Sequence, residues 1–138
     1  MLPKPVFTIL VVDDEPPIHD LLTRVARQQF AEAQFVNTRS AQETFTYLGE
    51  QSAKWPQLVL LDINLHQSVD GIDLLPQLHQ RLGGQVPIVM FTTDTDPTLM
   101  EQAHERGAVA FTQKPDDLQG WREYVASLRA TWYQSKQL

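Results

Sequence analysis

Short, continuous apolar runs alternate with amphipathic segments along most of this chain. The clearest runs occupy residues 6–12 (VFTILVV), 58–63 (LVLLDI) and 86–92 (VPIVMFT), and such runs are typical of strands buried on both faces. Weaker runs at 34–37 and 108–112 complete five predicted strands. Five strand–helix units in strict alternation predict an α/β fold, a doubly wound parallel sheet with helices on both faces.

Helical spacing and capping residues predict a helix after each strand. The predicted helices cover residues 16–29, a segment from Ser40, 71 to about 81, 96 to 107 and 117–133. Ser40 and Glu43 have the spacing of a capping box. Pro76 conflicts with the third helix because it lacks an N–H, so we expect either Asp73 as N-cap or a kink near Pro76. In the last helix the residues expected to face inward or an interface are Leu118, Trp121, Val125, Leu128 and Trp132.

Composition limits the function classes that this chain can serve. Its 138 residues fit one domain, so we expect a single domain over 1–138 with no output domain. The absence of cysteine excludes disulfides, Cys-ligated metals and thiol nucleophiles. A net charge of −6 disfavours direct nucleic-acid binding through a basic face. No apolar run reaches the ~18–20 residues that span a bilayer, so a cytoplasmic protein with no membrane contact is expected.

Polar residues stand where the predicted strands end. Strand one ends in Asp13-Asp14, strand three in Asp62, strand four in Thr92 and strand five in Lys114. Parallel sheets bind ligands at the carboxyl ends of their strands, so these side chains should meet at one rim. Clustered carboxylates repel one another unless a divalent cation joins them, and Mg²⁺ suits a few carboxylates beside phosphate. A carboxylate nucleophile in such a site forms an aspartyl phosphate.

Each of these residues also has an ordinary structural interpretation. An Asp-Asp pair after a strand is most often a helix cap, and Asp62 alone is an unremarkable loop residue. Thr92 alone is a common β-branched strand residue, and Lys114 before proline is a common turn residue. The functional interpretation depends on the whole set falling at successive strand ends.

The motifs together resemble the response-regulator receiver family of two-component signalling. They are ILVVDDE (9–15), LVLLDI (58–63), DG (70–71), IVMFTT (88–93) and FTQKP (111–115). The resemblance covers nearly the whole chain. It implies a flavodoxin-like (βα)5 fold whose five parallel strands lie in the order 2-1-3-4-5. It also implies a CheY-like module that stands alone.

The resemblance assigns roles to the acidic residues. It implies that Asp62 is the phosphoacceptor and a ligand of Mg²⁺. Asp14 would bind the metal directly, Asp13 through water, and Asn64 through its backbone carbonyl. By the same resemblance, Asn64 and Asp94 would tune the access of the water that removes the phosphoryl group.

The resemblance also assigns the phosphate-binding and switch residues. Thr92, Thr93 and Lys114 would bind the phosphoryl oxygens, and Thr92 would act with Phe111 as the switch pair. The Lys114–Pro115 peptide is expected to be cis, an option that X–Pro bonds take at modest cost. Phosphorylation would then change the surface formed by helix four, strand five and helix five.

Two departures from the family pattern bear on this site. The stretch 65–71 is one residue longer than the usual loop after the phosphoacceptor, which puts the shape of that loop in question. The residue after the switch threonine is usually small, whereas here it is the β-branched Thr93. We expect Thr93 to narrow access and to slow both phosphorylation and dephosphorylation.

The implied partners are a histidine kinase or phosphotransfer protein and an unknown downstream protein. Aromatic residues crowd the last helix beyond what one inward stripe needs, which suggests a homodimer or partner surface on the helix four–strand five–helix five face. The chain would phosphorylate itself without being an enzyme for separate substrates. A dehalogenase-like phosphatase is disfavoured because Asn64 replaces its second acid, and a nucleotide or flavin binder lacks its glycine-rich turn. A degenerate receiver that binds partners without phosphorylation remains an alternative.

Overall fold

The computed structural model describes residues 6–50, 55–65, 69–93 and 96–134. Its strands are β1 (Phe7–Val12), β2 (Ala33–Thr38), β3 (Leu58–Leu61), β4 (Ile88–Thr92) and β5 (Ala110–Gln113). Its helices are α1 (Pro16–Gln29), α2 (Ala41–Glu50), α3 (Gly71–Arg81), α4 (Pro97–Glu105) and α5 (Leu118–Leu128), and α5 continues as a π-helical segment, Arg129–Tyr133. The five strands form one parallel sheet in the order β2-β1-β3-β4-β5, which confirms the predicted fold class and strand order.

The sheet separates two apolar cores. Alternate side chains of β1, such as Leu10 and Ile9, point to opposite faces. On one face the core includes side chains of α2, α3 and α4. On the other face α1 and α5 cover the sheet, with Leu22 and Trp121 among the buried residues. Because both faces are covered, the central strands are continuously apolar, as their sequences predicted.

Capping side chains define where several helices begin. The Ser40 hydroxyl accepts a hydrogen bond from the Glu43 N–H at 3.1 Å, while the Glu43 carboxylate accepts from the Arg39 N–H at 3.3 Å. The predicted capping box is therefore present, with its second bond shifted by one residue. Asp96 caps α4 and Asp117 caps α5 by accepting main-chain N–H bonds at 2.8 and 2.7 Å. These bonds satisfy amide groups that a helix start leaves without partners.

Helix α3 continues through Pro76 without interruption. Asp70 is its N-cap, so the first expected alternative, Asp73 as N-cap, was wrong, while the second, a kink near Pro76, stays a prediction. Pro76 has no N–H to donate to the carbonyl four residues earlier, which belongs to Ile72. The Arg106 guanidinium donates to that carbonyl instead, at 2.9 Å. A side chain from the end of α4 therefore replaces the missing helical hydrogen bond.

The last helix packs its aromatic residues, buried or partly buried, against the core on its face of the sheet. Trp121 is buried as predicted. Leu118 lies directly after the Asp117 cap and is 50% exposed, so of its two expected environments, inward or at an interface, the inward one was wrong. The Tyr124 hydroxyl lies 2.7 Å from that of Thr112. The ring of Tyr133 contacts those of Phe7 and Phe30, with centroids 5.8 and 5.5 Å apart. Internal packing thus accounts for aromatic side chains that the sequence suggested were surplus.

Within the described ranges, no helix has the length and apolar character that a membrane crossing requires.

Candidate functional site

Strands β1 and β3 bring Asp13 and Asp62 together. The strands are paired in parallel, with Val12 opposite Leu61, so the next residue of each chain segment falls at the same edge of the sheet. The Asp62 N–H donates to the Val12 carbonyl at 2.9 Å, which extends the ladder by one bond. Asp13 is fully buried and Asp62 is 3% exposed. Two carboxylates are therefore held at the base of the rim, out of bulk water.

Asn37 at the end of β2 fixes the main chain that carries the first aspartate. Its side-chain amide donates to the carbonyls of Val11 and Asp13 at 3.0 and 3.1 Å. The Asp13 N–H in turn donates to the Thr38 carbonyl at 2.9 Å. Asn37 was predicted only as a strand residue, because nothing in its spacing indicates this contact.

The rim carries an oxygen-rich acidic cluster. Carboxylate oxygens of Asp13, Asp14, Glu15 and Asp62 all lie within 4.8 Å of one another. Hard divalent cations such as Mg²⁺ and Ca²⁺ take oxygen ligands of this kind. Four formal negative charges around one lysine leave an excess that a divalent cation would offset. The donor set thus fits a metal of this class. Glu15 belongs to the cluster although no role was predicted for it from the sequence.

Lys114 provides the positive charge at the centre of the cluster. Its Nζ lies 2.8 Å from Asp13 Oδ2, 3.0 Å from Asp62 Oδ2 and 3.2 Å from Glu15 Oε1. The same ammonium lies 5.3 Å from the centroid of the Phe91 ring, within cation–π range. Lys114 is only 6% exposed. The side chain is therefore fixed by charge on one side and by an aromatic ring on another.

Burial changes the protonation equilibria of this cluster. Desolvation raises the pKa of Asp13 and of Asp62, and it outweighs the opposing attraction of Lys114. Burial alone would lower the pKa of the Lys114 ammonium, but its hydrogen bonds and charge contacts with Asp13 and Asp62 raise that pKa overall. The carboxylates are thus insufficiently compensated by protein groups, as is common at functional sites.

The other predicted site residues differ in their burial and in their contacts with Asp62. Thr92 is fully buried and its hydroxyl donates a hydrogen bond to Asp62. The Asn64 N–H lies 3.4 Å from Asp62 Oδ1, and the Asn64 residue is exposed. Thr93 is exposed at the end of β4. Phe111 is partly buried against the core between the sheet and α4. Asp94 and the loop residues 66–68 lie outside the described residues.

The predicted cis peptide before Pro115 was wrong. Peptide bonds are trans throughout the described residues, including the one that joins Lys114 to Pro115. The Lys114 N–H donates to the Thr92 carbonyl at 2.9 Å, and the ammonium reaches Asp13 and Asp62 from this backbone. The trans isomer, which X–Pro bonds favour, is thus compatible with the position of the lysine.

Gly71 allows α3 to pack directly on the segment that follows β3. Its N–H donates to the Ile63 carbonyl at 2.7 Å. A Cβ atom at this position would lie 1.9 Å from the Asp62 carbonyl oxygen and 2.9 Å from the Ile63 Cα. Only glycine fits this close approach between two backbone segments. The Asp70-Gly71 motif therefore positions the backbone of Asp62.

The fold and this site define a doubly wound α/β domain whose strand ends carry buried carboxylates, a hydroxyl and a lysine. Residues 9–126 match the family model described as the response regulator receiver domain. The chain therefore belongs to the response-regulator receiver family of two-component signalling.

Curated relatives support this assignment. The chain is 35% identical over 108 residues to the nitrogen assimilation regulatory protein NtrX of Azorhizobium caulinodans, which covers 78% of this chain and 22% of that protein. It is 36% identical over 122 residues to the DNA-binding response regulator MtrA of Mycolicibacterium smegmatis, covering 88% of this chain and 49% of the relative. The chain thus spans less than half of either regulator.

Solved structures share the fold. The phosphorylated cyanobacterial phytochrome response regulator RcpA superposes with a TM-score of 0.82 at 20% identity, covering 94% of this chain and 96% of that one. The receiver domain of NtrX from Brucella abortus gives a TM-score of 0.67 at 27% identity, covering 86% and 98%. These similarities confirm the flavodoxin-like, CheY-like architecture.

Proposed function

We propose that Asp62 accepts a phosphoryl group from the phosphohistidine of a histidine kinase or phosphotransfer protein, with Mg²⁺ bound at the acidic cluster. The observation that carries the proposal is the surroundings of Asp62. Its buried carboxylate receives a hydrogen bond from Thr92 and lies 3.0 Å from the Lys114 ammonium. A hydroxyl and an ammonium that meet on one carboxylate are suited to phosphoryl oxygens attached there.

In the transfer step, a carboxylate oxygen of Asp62 attacks phosphorus while the phosphorus–nitrogen bond of the donor breaks, and the bonding electrons leave with the imidazole. Lys114 and Thr92 donate hydrogen bonds to the phosphoryl oxygens, with Thr93 at the exposed rim. Mg²⁺, when bound, supplies positive charge that offsets the charge of the transferring group. Reversal of the signal is hydrolysis: water attacks phosphorus, the bond to Asp62 breaks, and phosphate leaves.

The proposed metal ligands and their roles are those that the family resemblance implies, and three of them belong to the acidic cluster. Asp14 and Asp62 would bind the ion through carboxylate oxygens, Asn64 through its carbonyl, and Asp13 through a water molecule. Asn64 and Asp94 are proposed to control the approach of the hydrolytic water. In this scheme the chain promotes only its own phosphorylation and dephosphorylation, so it is not proposed to be an enzyme for separate substrates.

The proposed output is a change of the surface formed by α4, β5 and α5. Phe111 lines a cavity of about 210 Å³ between α4 and β5, together with Met100, Ala103, His104, Ala108 and Ala110. This space allows a second position for the Phe111 ring when Thr92 turns toward a phosphoryl group. Exposed Met100 and Val109 beside it supply apolar surface for a downstream protein or a second copy of this chain.

Intact-mass measurement after incubation with acetyl phosphate and Mg²⁺ tests the proposal. We expect one phosphoryl adduct that disappears in Asp62→Asn and in excess chelator, and that persists in Asp116→Asn, which removes an exposed aspartate instead. An adduct that survives Asp62→Asn would refute the assignment of the acceptor. If neither small donors nor phosphorylated kinases modify the chain, and beryllofluoride does not bind with Mg²⁺, the chain is a binding module that works without phosphorylation.

A further inference from the structure

Glu15 is the carboxylate of the rim that is most open to solvent. Its Oε1 lies 3.2 Å from Lys114 Nζ, the longest of the three carboxylate contacts of that ammonium, and its side chain is 54% exposed. Its carboxylate also lies within 4.8 Å of that of Asp62. Glu15 therefore places negative charge where a phosphoryl group must approach the acceptor.

While Glu15 stays in this position, Lys114 donates hydrogen bonds to Glu15 and Asp62 and forms an ion pair with Asp13. An ammonium has three N–H donors, and three carboxylates lie within 3.2 Å of Nζ. The contacts with Asp13 and Asp62 are buried, so breaking them would strand a charge away from water. The contact with Glu15 is partly hydrated, and exposed ion pairs are weak. An incoming phosphoryl oxygen would gain a donor most readily by displacing Glu15.

The side chain of Glu15 is not needed to begin α1. Glu15 is the N-cap residue of that helix, but its carboxylate makes no capping hydrogen bond, and two prolines follow it. Its own N–H is already bonded to Asp13 Oδ1 at 2.8 Å. A change confined to the Glu15 carboxylate should therefore leave the backbone at the site in place.

We propose that the Glu15 carboxylate is a displaceable partner of the Lys114 ammonium, here called the latch, and that it disfavours small, highly charged phosphoryl donors. This role rests on the proposed phosphorylation of Asp62. At rest the latch occupies the ammonium and repels anions. When a phosphoryl group arrives, Lys114 binds its oxygens and the Glu15 carboxylate moves into solvent. A protein donor offsets the repulsion by contacts elsewhere on its surface, which a small anion lacks. Glu15 thus determines specificity toward the donor.

The test compares the wild type with Glu15→Gln, Glu15→Ala and the control Glu101→Gln, which removes an exposed glutamate on α4. The initial rate of Asp62 phosphorylation is measured with acetyl phosphate and with the less highly charged phosphoramidate. For a repulsion across about 5 Å in a hydrated site, both Glu15 variants should react roughly three- to tenfold faster with acetyl phosphate. The gain should be smaller with phosphoramidate and should shrink as salt rises.

A second measurement needs no phosphorylation. In Mg²⁺-free protein, the ¹⁵N side-chain resonance of Lys114 should shift in both Glu15 variants and stay in place in Glu101→Gln. If the wild type forms the adduct but the Glu15 variants react at the wild-type rate or more slowly, the latch is refuted while the proposed function stands. If no protein forms an adduct on Asp62, the proposed function fails and the latch fails with it.

Discussion

Two regions of this molecule bury polar groups in opposite ways. At the contact between α3 and α4, Pro76 leaves the Ile72 carbonyl without its helical donor, and Arg106 supplies a replacement at 2.9 Å. At the rim, four carboxylates cluster, and those of Asp13, Glu15 and Asp62 share the ammonium of Lys114. The first region is satisfied by protein groups alone, and the second is not.

This difference distinguishes polar groups that serve the fold from polar groups that serve a binding site. A buried carbonyl without a hydrogen-bond donor lowers the stability of the folded protein, and the Arg106 side chain supplies that donor here. The rim retains excess negative charge, and burial raises the pKa of Asp13 and Asp62 accordingly. That arrangement costs stability until a cation binds, which is the expected property of a metal-dependent site.

Gly71 joins the two regions, and its substitution should have the largest effect. In Gly71→Ala the new methyl would lie 1.9 Å from the Asp62 carbonyl oxygen, where only backbone could move away. We expect a loss of at least ~3 kcal/mol in the free energy of unfolding, measured by urea denaturation. Gly49→Ala is the matched control, since a Cβ there meets nothing within 4 Å. Equal stability of the two variants would show that α3 does not pack tightly against the backbone of Asp62 and Ile63.

Binding of Mg²⁺ should have the next largest effect, and only at the rim. At a concentration 100 times the dissociation constant, a ligand specific for the folded state stabilises it by about 2.7 kcal/mol. The melting temperature should therefore rise with Mg²⁺ in the wild type and in Arg106→Ala alike. The rise should be largely lost in Asp14→Asn. An equal rise in Asp14→Asn would contradict the assigned ligands.

Arg106→Ala should destabilise the protein by ~1–2 kcal/mol, because the Ile72 carbonyl is left buried beside Pro76. Restoring the helical N–H with Pro76→Ala should recover part of that loss. The full double-mutant cycle by chemical denaturation measures this coupling. Arg24→Ala, which removes an exposed arginine from α1, is the control. Additive effects of the two substitutions would mean that Arg106 does not replace the missing bond.

The smallest predicted effect concerns pH. Because burial raises the pKa of Asp13, the folded state holds this proton more tightly than the unfolded state. Without metal, stability is therefore lost as pH rises from the ordinary value, 3.8, through the raised one. In chelator, Asp13→Asn should melt higher than the wild type at neutral pH, and this gap should close below pH 3.8. A gap that is constant with pH, or the same in Asp116→Asn, would argue against a buried charge.

Much of the fold could be predicted from the sequence because its signals are local. Periodicity and capping residues predicted α1 with its observed bounds, and the order of apolar runs predicted the parallel sheet. The rim could be predicted for the same reason, since Asp13 and Asp62 directly follow strands whose ends share one edge. The sequence left open whether Leu118 faces inward or an interface, because helical spacing alone does not show where a helix leaves the core.

Apolar periodicity and the residues at the strand ends, taken from the sequence by itself, determined the fold class and the family. Only the tertiary structure decided that Arg106 completes α3, that Asn37 holds Asp13, and that Glu15 shares Lys114 with two aspartates. These contacts join residues up to 99 positions apart. Their partners are set by how the elements pack, and a pattern within one element carries no information about which distant side chain will meet it.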